Sequence, residues 1–187
     1  GGLLSIGLQT GFDIVTGSQS HSGMYYAGDL ALSFNGAVKG DSSTYEYAID
    51  FGFNTKDYYG GDTGTQTSGL YSVSSWNNEI YFDGAGGHIN SGDSKDSSAP
   101  FAMSSGTEIT NVNFSSSSGS ATVNNELSYF QVATFDVSAL GLTQLELDAH
   151  WTMSCGNDAV DAHIDATVPE PSSLLLLSAG FMGLIGS

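Results

Sequence analysis

Arginine is absent from this chain, and its only bases are Lys39, Lys56 and Lys95, set against twenty acidic residues for a net charge of −17. Phosphate backbones are gripped by basic faces, so nucleic acid is excluded as a partner. An anionic membrane surface is repelled in the same way. Such a surface favours solubility in a salted medium and attraction of cations. Cysteine occurs once, at Cys155, which rules out a disulfide framework within the chain. Before residue 168 no segment carries apolar residues at the three-and-four spacing of an amphipathic helix. The chain opens Gly1-Gly2-Leu3 rather than at methionine, which implies a removed leader or a fragment.

Instead, the sequence offers short alternating runs between clusters of Gly, Ser, Thr, Asn and Asp, with 40% hydrophobic residues overall. That fraction supplies a core for one domain of this size. Leu4, Ile6 and Leu8 alternate with polar or small residues, and Phe12 and Ile14 continue the pattern. Further strands are expected in Met24–Phe34, Tyr45–Phe53, Leu70–Val73, Ile80–Phe82 and Phe130–Asp136. The clearest alternation sets Leu145, Leu147, Ala149, Trp151 and Met153 against Glu146, Asp148, His150, Thr152 and Ser154. Period two over ten residues marks a strand with one buried face. Trp76-Asn77-Asn78-Glu79 reads as a turn between two strands, and the Ser115–Ser120 run as a polar link. Residues 54–69 and 83–99 read as long loops. The expected fold is all-β, an antiparallel β-sandwich or jelly roll over residues 1–167.

Composition changes at Val168. Pro169-Glu170-Pro171 ends the strand pattern, Ser172-Ser173 follows, and Leu174–Gly186 carries no charge. This run of about 13 residues suits a short C-terminal hydrophobic helix, below the roughly 18 of a complete span. The order of Val168, Pro169, Glu170 and Pro171 before the apolar run resembles the PEP-CTERM sorting signal of exosortase-dependent surface proteins. His150-Trp151-Thr152-Met153-Ser154-Cys155-Gly156-Asn157-Asp158 is similar to a segment of one subgroup of those proteins. Gly28-Asp29-Leu30, Leu70-Tyr71-Ser72-Val73 and Pro100-Phe101-Ala102-Met103 are similar to others in that subgroup. The arginine-rich end that closes the family's tail does not follow Ser187. The resemblance implies export in a Gram-negative bacterium, transient membrane anchoring through residues 168–187, processing by exosortase, and a place among exopolysaccharide.

Candidate chemistry is thin. Asp161, His163 and Asp165 share parity, so a strand puts them on one face, and with Asp158 they form a candidate metal set, for calcium through carboxylates or a transition metal through His163. The same pattern equally suits a solvated strand face. Acidic loops around Asp57 and Asp62, or Asp93 and Asp96, lack the fixed spacing of an EF-hand. Cys155 is a nucleophile only if a base reaches it, and His150 lies on the opposite strand face by parity. Tyr58, Tyr59, Trp76 and Tyr81 lie near turns, where aromatic rings can stack on sugars or fill the core. No nucleophile elbow, phosphate loop or placed acid–base pair is present, so no catalytic residue is assigned and no cofactor beyond calcium is expected. The expected function is a non-catalytic surface or matrix component capable of self-association through a sheet edge. A calcium-dependent lectin-like module and a jelly-roll polysaccharide hydrolase are the alternatives.

Overall fold

The computed structural model describes residues 2–20, 23–53, 67–78, 80, 100–142, 145–154 and 159–166. Among the described residues eleven strands form: β1 (Leu3–Thr10), β2 (Ser18–Ser20), β3 (Gly23–Tyr25), β4 (Leu30–Ser33), β5 (Tyr47–Asp50), β6 (Gly69–Asn77), β7 (Ala102–Glu108), β8 (Ser115–Val123), β9 (Glu126–Asp136), β10 (Leu145–Thr152) and β11 (Ala159–Ala166). One sheet has the order β1-β9-β8, a second the order β11-β10-β4-β5-β6-β7, and β2-β3 is a small hairpin. Every pairing among these described strands is antiparallel.

The two larger sheets meet face to face. Leu8, Ala133 and Phe135 of the three-stranded sheet share one buried cluster with Leu30, Leu32, Ile49, Leu70, Leu147, Ala149 and Trp151 of the six-stranded sheet. Alternation produces this directly: successive side chains on a strand point to opposite faces, and the apolar set takes the inside. The fold is therefore an all-β antiparallel sandwich. The stretch expected to form a C-terminal helix and the motif Val168–Pro171 fall outside the described residues.

Several local expectations change. The Ser115–Ser120 run is not a link but most of β8, hydrogen-bonded along its length to β9. Its hairpin closes through Asn124 and Asn125, both left-handed at φ 53° and 68°, the conformation that a two-residue hairpin turn demands. Serine is an indifferent strand former, so pairing rather than propensity holds it there. Gly119 makes room for the Phe130 ring, which lies 2.7 Å from where a Cβ would stand. On β9 the buried residues are Gln131, Ala133 and Phe135, so Phe130, Val132 and Thr134 take the other face. Trp76 lies within β6 rather than in a turn. β1 stops at Thr10, and Phe12 and Ile14 reach the core from the turn that follows. Ile80 is fully buried outside any strand, and Tyr81 and Phe82 fall outside the described residues.

Candidate functional site

The outer face of the six-stranded sheet carries the unusual chemistry. Alternation alone would send His150, Thr152 and Ser154 to solvent, yet all three are buried. Over His150 the cover is aromatic. The Phe101 ring stacks on His150 at 4.8 Å and 17°, and Trp76 meets Phe101 edge-on at 5.0 Å. Tyr45 packs against both Phe101 and His150. The Trp76 indole N–H donates to the Tyr45 carbonyl at 3.1 Å. This tryptophan is therefore engaged in packing, whereas Tyr58, Tyr59 and Tyr81 lie outside the described residues. Burial, with the charges of Asp161, Asp148 and Asp41 adding to it, raises the Tyr45 hydroxyl far above its usual range.

At the β10–β11 edge, Glu146 faces Asp165, Asp148 faces His163 and His150 faces Asp161. Asp161, His163 and Asp165 thus do share one face. Instead of converging on a common point, they pair crosswise with β10. His150 Nδ1 meets Asp161 Oδ1 at 2.8 Å, and His163 Nδ1 meets Asp148 Oδ1 at 2.8 Å. An ionised carboxylate can only accept, so Nδ1 is the donor nitrogen in each ring. The second oxygens are occupied as well: Asp148 Oδ2 accepts from the Ala37 N–H at 2.8 Å, and Asp161 Oδ2 lies 3.9 Å from Lys39 Nζ. The hydrogen bond to Asp148 raises the His163 pKa, and the charges of Asp148, Glu146 and Asp165 push the same way. Among the described residues no group of three or more His, Cys, Asp or Glu side chains is gathered in a cation-binding arrangement. Asp158 and Cys155 lie outside them.

A second acidic pair sits deeper. Asp29 immediately precedes β4 and Asp50 ends β5, one step beyond the paired Leu30 and Ile49. Their exposures are 6% and 1%, where ionised carboxylates are rarely found unless paired. Asp29 Oδ2 accepts from the Met103 N–H at 2.7 Å, and Asp50 Oδ1 accepts from the Gly52 N–H at 2.6 Å. Asp50 Oδ2 has no hydrogen-bond partner among the described residues, and neither has Thr152 Oγ1. Burial raises the pKa of both acids, and the Asp50 charge lifts Asp29 further. Sequence reading passed over this pair. The available clue was an acid next to an apolar strand core, in Gly28-Asp29-Leu30 and in Ile49-Asp50-Phe51.

On the outer face of the three-stranded sheet, a shallow groove of about 190 Å³ is lined by Gln9, Ala121, Val123, Ser128, Tyr129 and Phe130. Pockets for small ligands usually span roughly 300–1,000 Å³, so this one has room for about a single sugar ring. Among the described residues no helix is long and apolar enough to cross a membrane.

Residues 167–187 match the family model described as the PEP-CTERM protein-sorting motif. The match begins one residue beyond β11, whose last residue is Ala166. The motif marks an exported, membrane-associated surface protein that exosortase sorts and processes. No curated protein and no solved structure matches the chain.

Proposed function

We propose that this chain is a non-catalytic surface protein of a Gram-negative bacterium, released from its tail by exosortase and retained among exopolysaccharide in a biofilm or floc. The observation that carries this reading is the sorting motif at residues 167–187 following directly on an acidic β-domain. Residues 1–167 act as the extracellular module, and residues 168–187 as its delivery tail. A hydrolase needs carboxylates that a sugar chain can reach. Asp29 and Asp50, which stand side by side at the ends of β4 and β5, are buried. The net charge of −17 keeps separate copies apart at low salt and allows association where cations screen it.

The test is the intact mass of the protein from the native cell surface, with and without the exosortase gene. A product ending near Pro169 only in the strain that has the enzyme supports the reading. A full-length tail in both strains sinks it. A second reading, a glycan-binding module, is favoured by the Phe130 groove. It predicts glycan-array binding that Phe130→Ala removes; no binding to the native polysaccharide would exclude it.

A further inference from the structure

We propose that Asp29, Asp50 and Thr152 form a buried calcium site on the outer face of the six-stranded sheet. The strands set the three side chains side by side. Ala31 of β4 pairs with both His150 of β10 and Ala48 of β5. Two residues further along these strands, on the same face by alternation, stand Asp29, Thr152 and Asp50. The Gly28 N–H to Thr152 carbonyl bond of 2.9 Å keeps β10 tight against this end of β4.

The donor count is left incomplete within the protein. Each carboxylate spends one oxygen on a backbone N–H, from Met103 and from Gly52. Asp50 Oδ2 and Thr152 Oγ1 remain without a partner, on residues that are each 1% exposed. Leaving one buried polar atom unsatisfied is uncommon, and leaving two beside a pair of buried acids calls for a ligand that answers both. No cationic side chain among the described residues does so: Lys39 lies at Asp161 and is 65% exposed.

The chemistry selects the ion. The unpartnered donors are one Asp50 carboxyl oxygen and the Thr152 hydroxyl, with the Asp29 carboxyl just ahead of the strand between them, all hard oxygens, which suits calcium or magnesium rather than a transition metal. The two carboxylates match a double positive charge. Calcium tolerates an irregular oxygen shell, whereas magnesium requires near-octahedral geometry and retains its waters. Two acidic ligands place the affinity in the weak extracellular class, with a dissociation constant of about 0.1–1 mM.

The experiment uses the full chain in detergent, stripped with chelator and then titrated with calcium or magnesium chloride at pH 7.5. Isothermal calorimetry should give close to one calcium per chain. The melting temperature should rise by about 5–10 °C at 10 mM calcium. Asp50→Asn should remove both responses. Thr152→Val, which keeps the strand shape, should weaken calcium binding several-fold. The proposal is overturned if calcium gives neither heat nor shift, if magnesium matches it (the mark of general screening), or if Asp50→Asn responds like the parent. Should Asp50→Asn fail to fold, unchanged calcium affinity in Thr152→Val would overturn it.

Discussion

With chelator present, the buried acids make stability depend on pH in a direction opposite to that of an ordinary surface carboxylate. Asp29 is pushed from 3.8 up to about 8, first by burial and then by the charge of Asp50. Asp50 is pushed up to about 7 by burial. A raised acid binds its proton more tightly when folded than when unfolded, so the native state holds more protons between the two values. Stability is therefore greatest at low pH within this window and is lost as pH rises toward the folded value. A tenfold difference in proton affinity between the folded and unfolded chain is worth about 1.4 kcal/mol. Between pH 5 and 8 the unfolded Asp29 is almost fully ionised while the folded one stays protonated until the top of the window. That gives a loss of about 4 kcal/mol, which belongs to the Asp29–Asp50 pair as a unit because the Asp50 charge is part of what raises Asp29. Domains carry only about 5–15 kcal/mol in total, so the effect is a large share of the whole.

The assay is urea unfolding of the chelated protein at pH 5, 6, 7 and 8, with Asp29→Asn, Asp50→Asn and the double variant alongside. Asparagine keeps an oxygen for the Met103 and Gly52 N–H groups. In the double variant the slope from this pair should vanish, and its stability at pH 8 should exceed that of the parent. Asp50→Asn alone should flatten the slope only in part, because burial is the larger cause of the raised Asp29 value. His163 also loses its stabilising charge as pH rises, but it is present in every variant and cancels in the comparison. Equal slopes in the parent and the double variant would refute the reasoning.

His150→Ala should cost about 2–4 kcal/mol in urea, since it opens a hole under the Phe101 ring. His163→Ala should cost clearly less, because that side chain is 54% exposed. For His163 the raised pKa means that its bond to Asp148 stabilises below the unfolded value and fades as pH climbs through the folded one. Hydrogen exchange of β11 amides, corrected for intrinsic rates, should accordingly be faster at pH 8 than at pH 5.5, and in His163→Ala that difference should shrink. Gly106→Ala should destabilise by about 1–3 kcal/mol, because the new Cβ falls 2.9 Å from the Ser72 carbonyl and 2.8 Å from Met103 Sδ. Asn125→Val should cost about 1–2 kcal/mol and Asn125→Gly little or nothing, since the position sits at φ 68°; equal melting temperatures for the two would argue against the hairpin.

The sandwich was legible wherever one face of a strand meets the shared core. Leu147, Ala149 and Trp151 alternate without a break because the inner face of β10 is buried along its length. Leu4, Ile6 and Leu8 did the same for β1. Ser115–Ser120 was illegible for the opposite reason. β8 is exposed along nearly all of its length, so no apolar period marks it, and only the Asn124-Asn125 turn that follows hinted at a hairpin. Parity also grouped Asp161, His163 and Asp165 correctly. It could not show that the acids and histidines of β10 face them in the opposite order, which turns a candidate cation face into two crosswise pairs.

The deeper reason that the acidic pair stayed hidden is that alternation assigns faces without saying what covers them. A polar residue on the non-core face of a sandwich strand is normally solvated, and His150, Thr152, Asp29 and Asp50 all occupy such positions. His150 is buried because Tyr45, Trp76 and Phe101 arrive from three separate parts of the chain, and Asp29 is reached by the Met103 backbone just beyond Phe101; contacts over that range leave no local pattern. Small residues permit the approach: Ala31 and Ala48 lie fully buried on this face, where larger side chains would hold the cover away. A protein seeking only stability would fill the space beneath that cover with apolar groups, since a buried charge that lacks a partner is costly. Two acids and a hydroxyl placed there instead are best explained by a cation that the fold was built to receive, and the pH slope and the calcium titration test the two halves of that explanation independently.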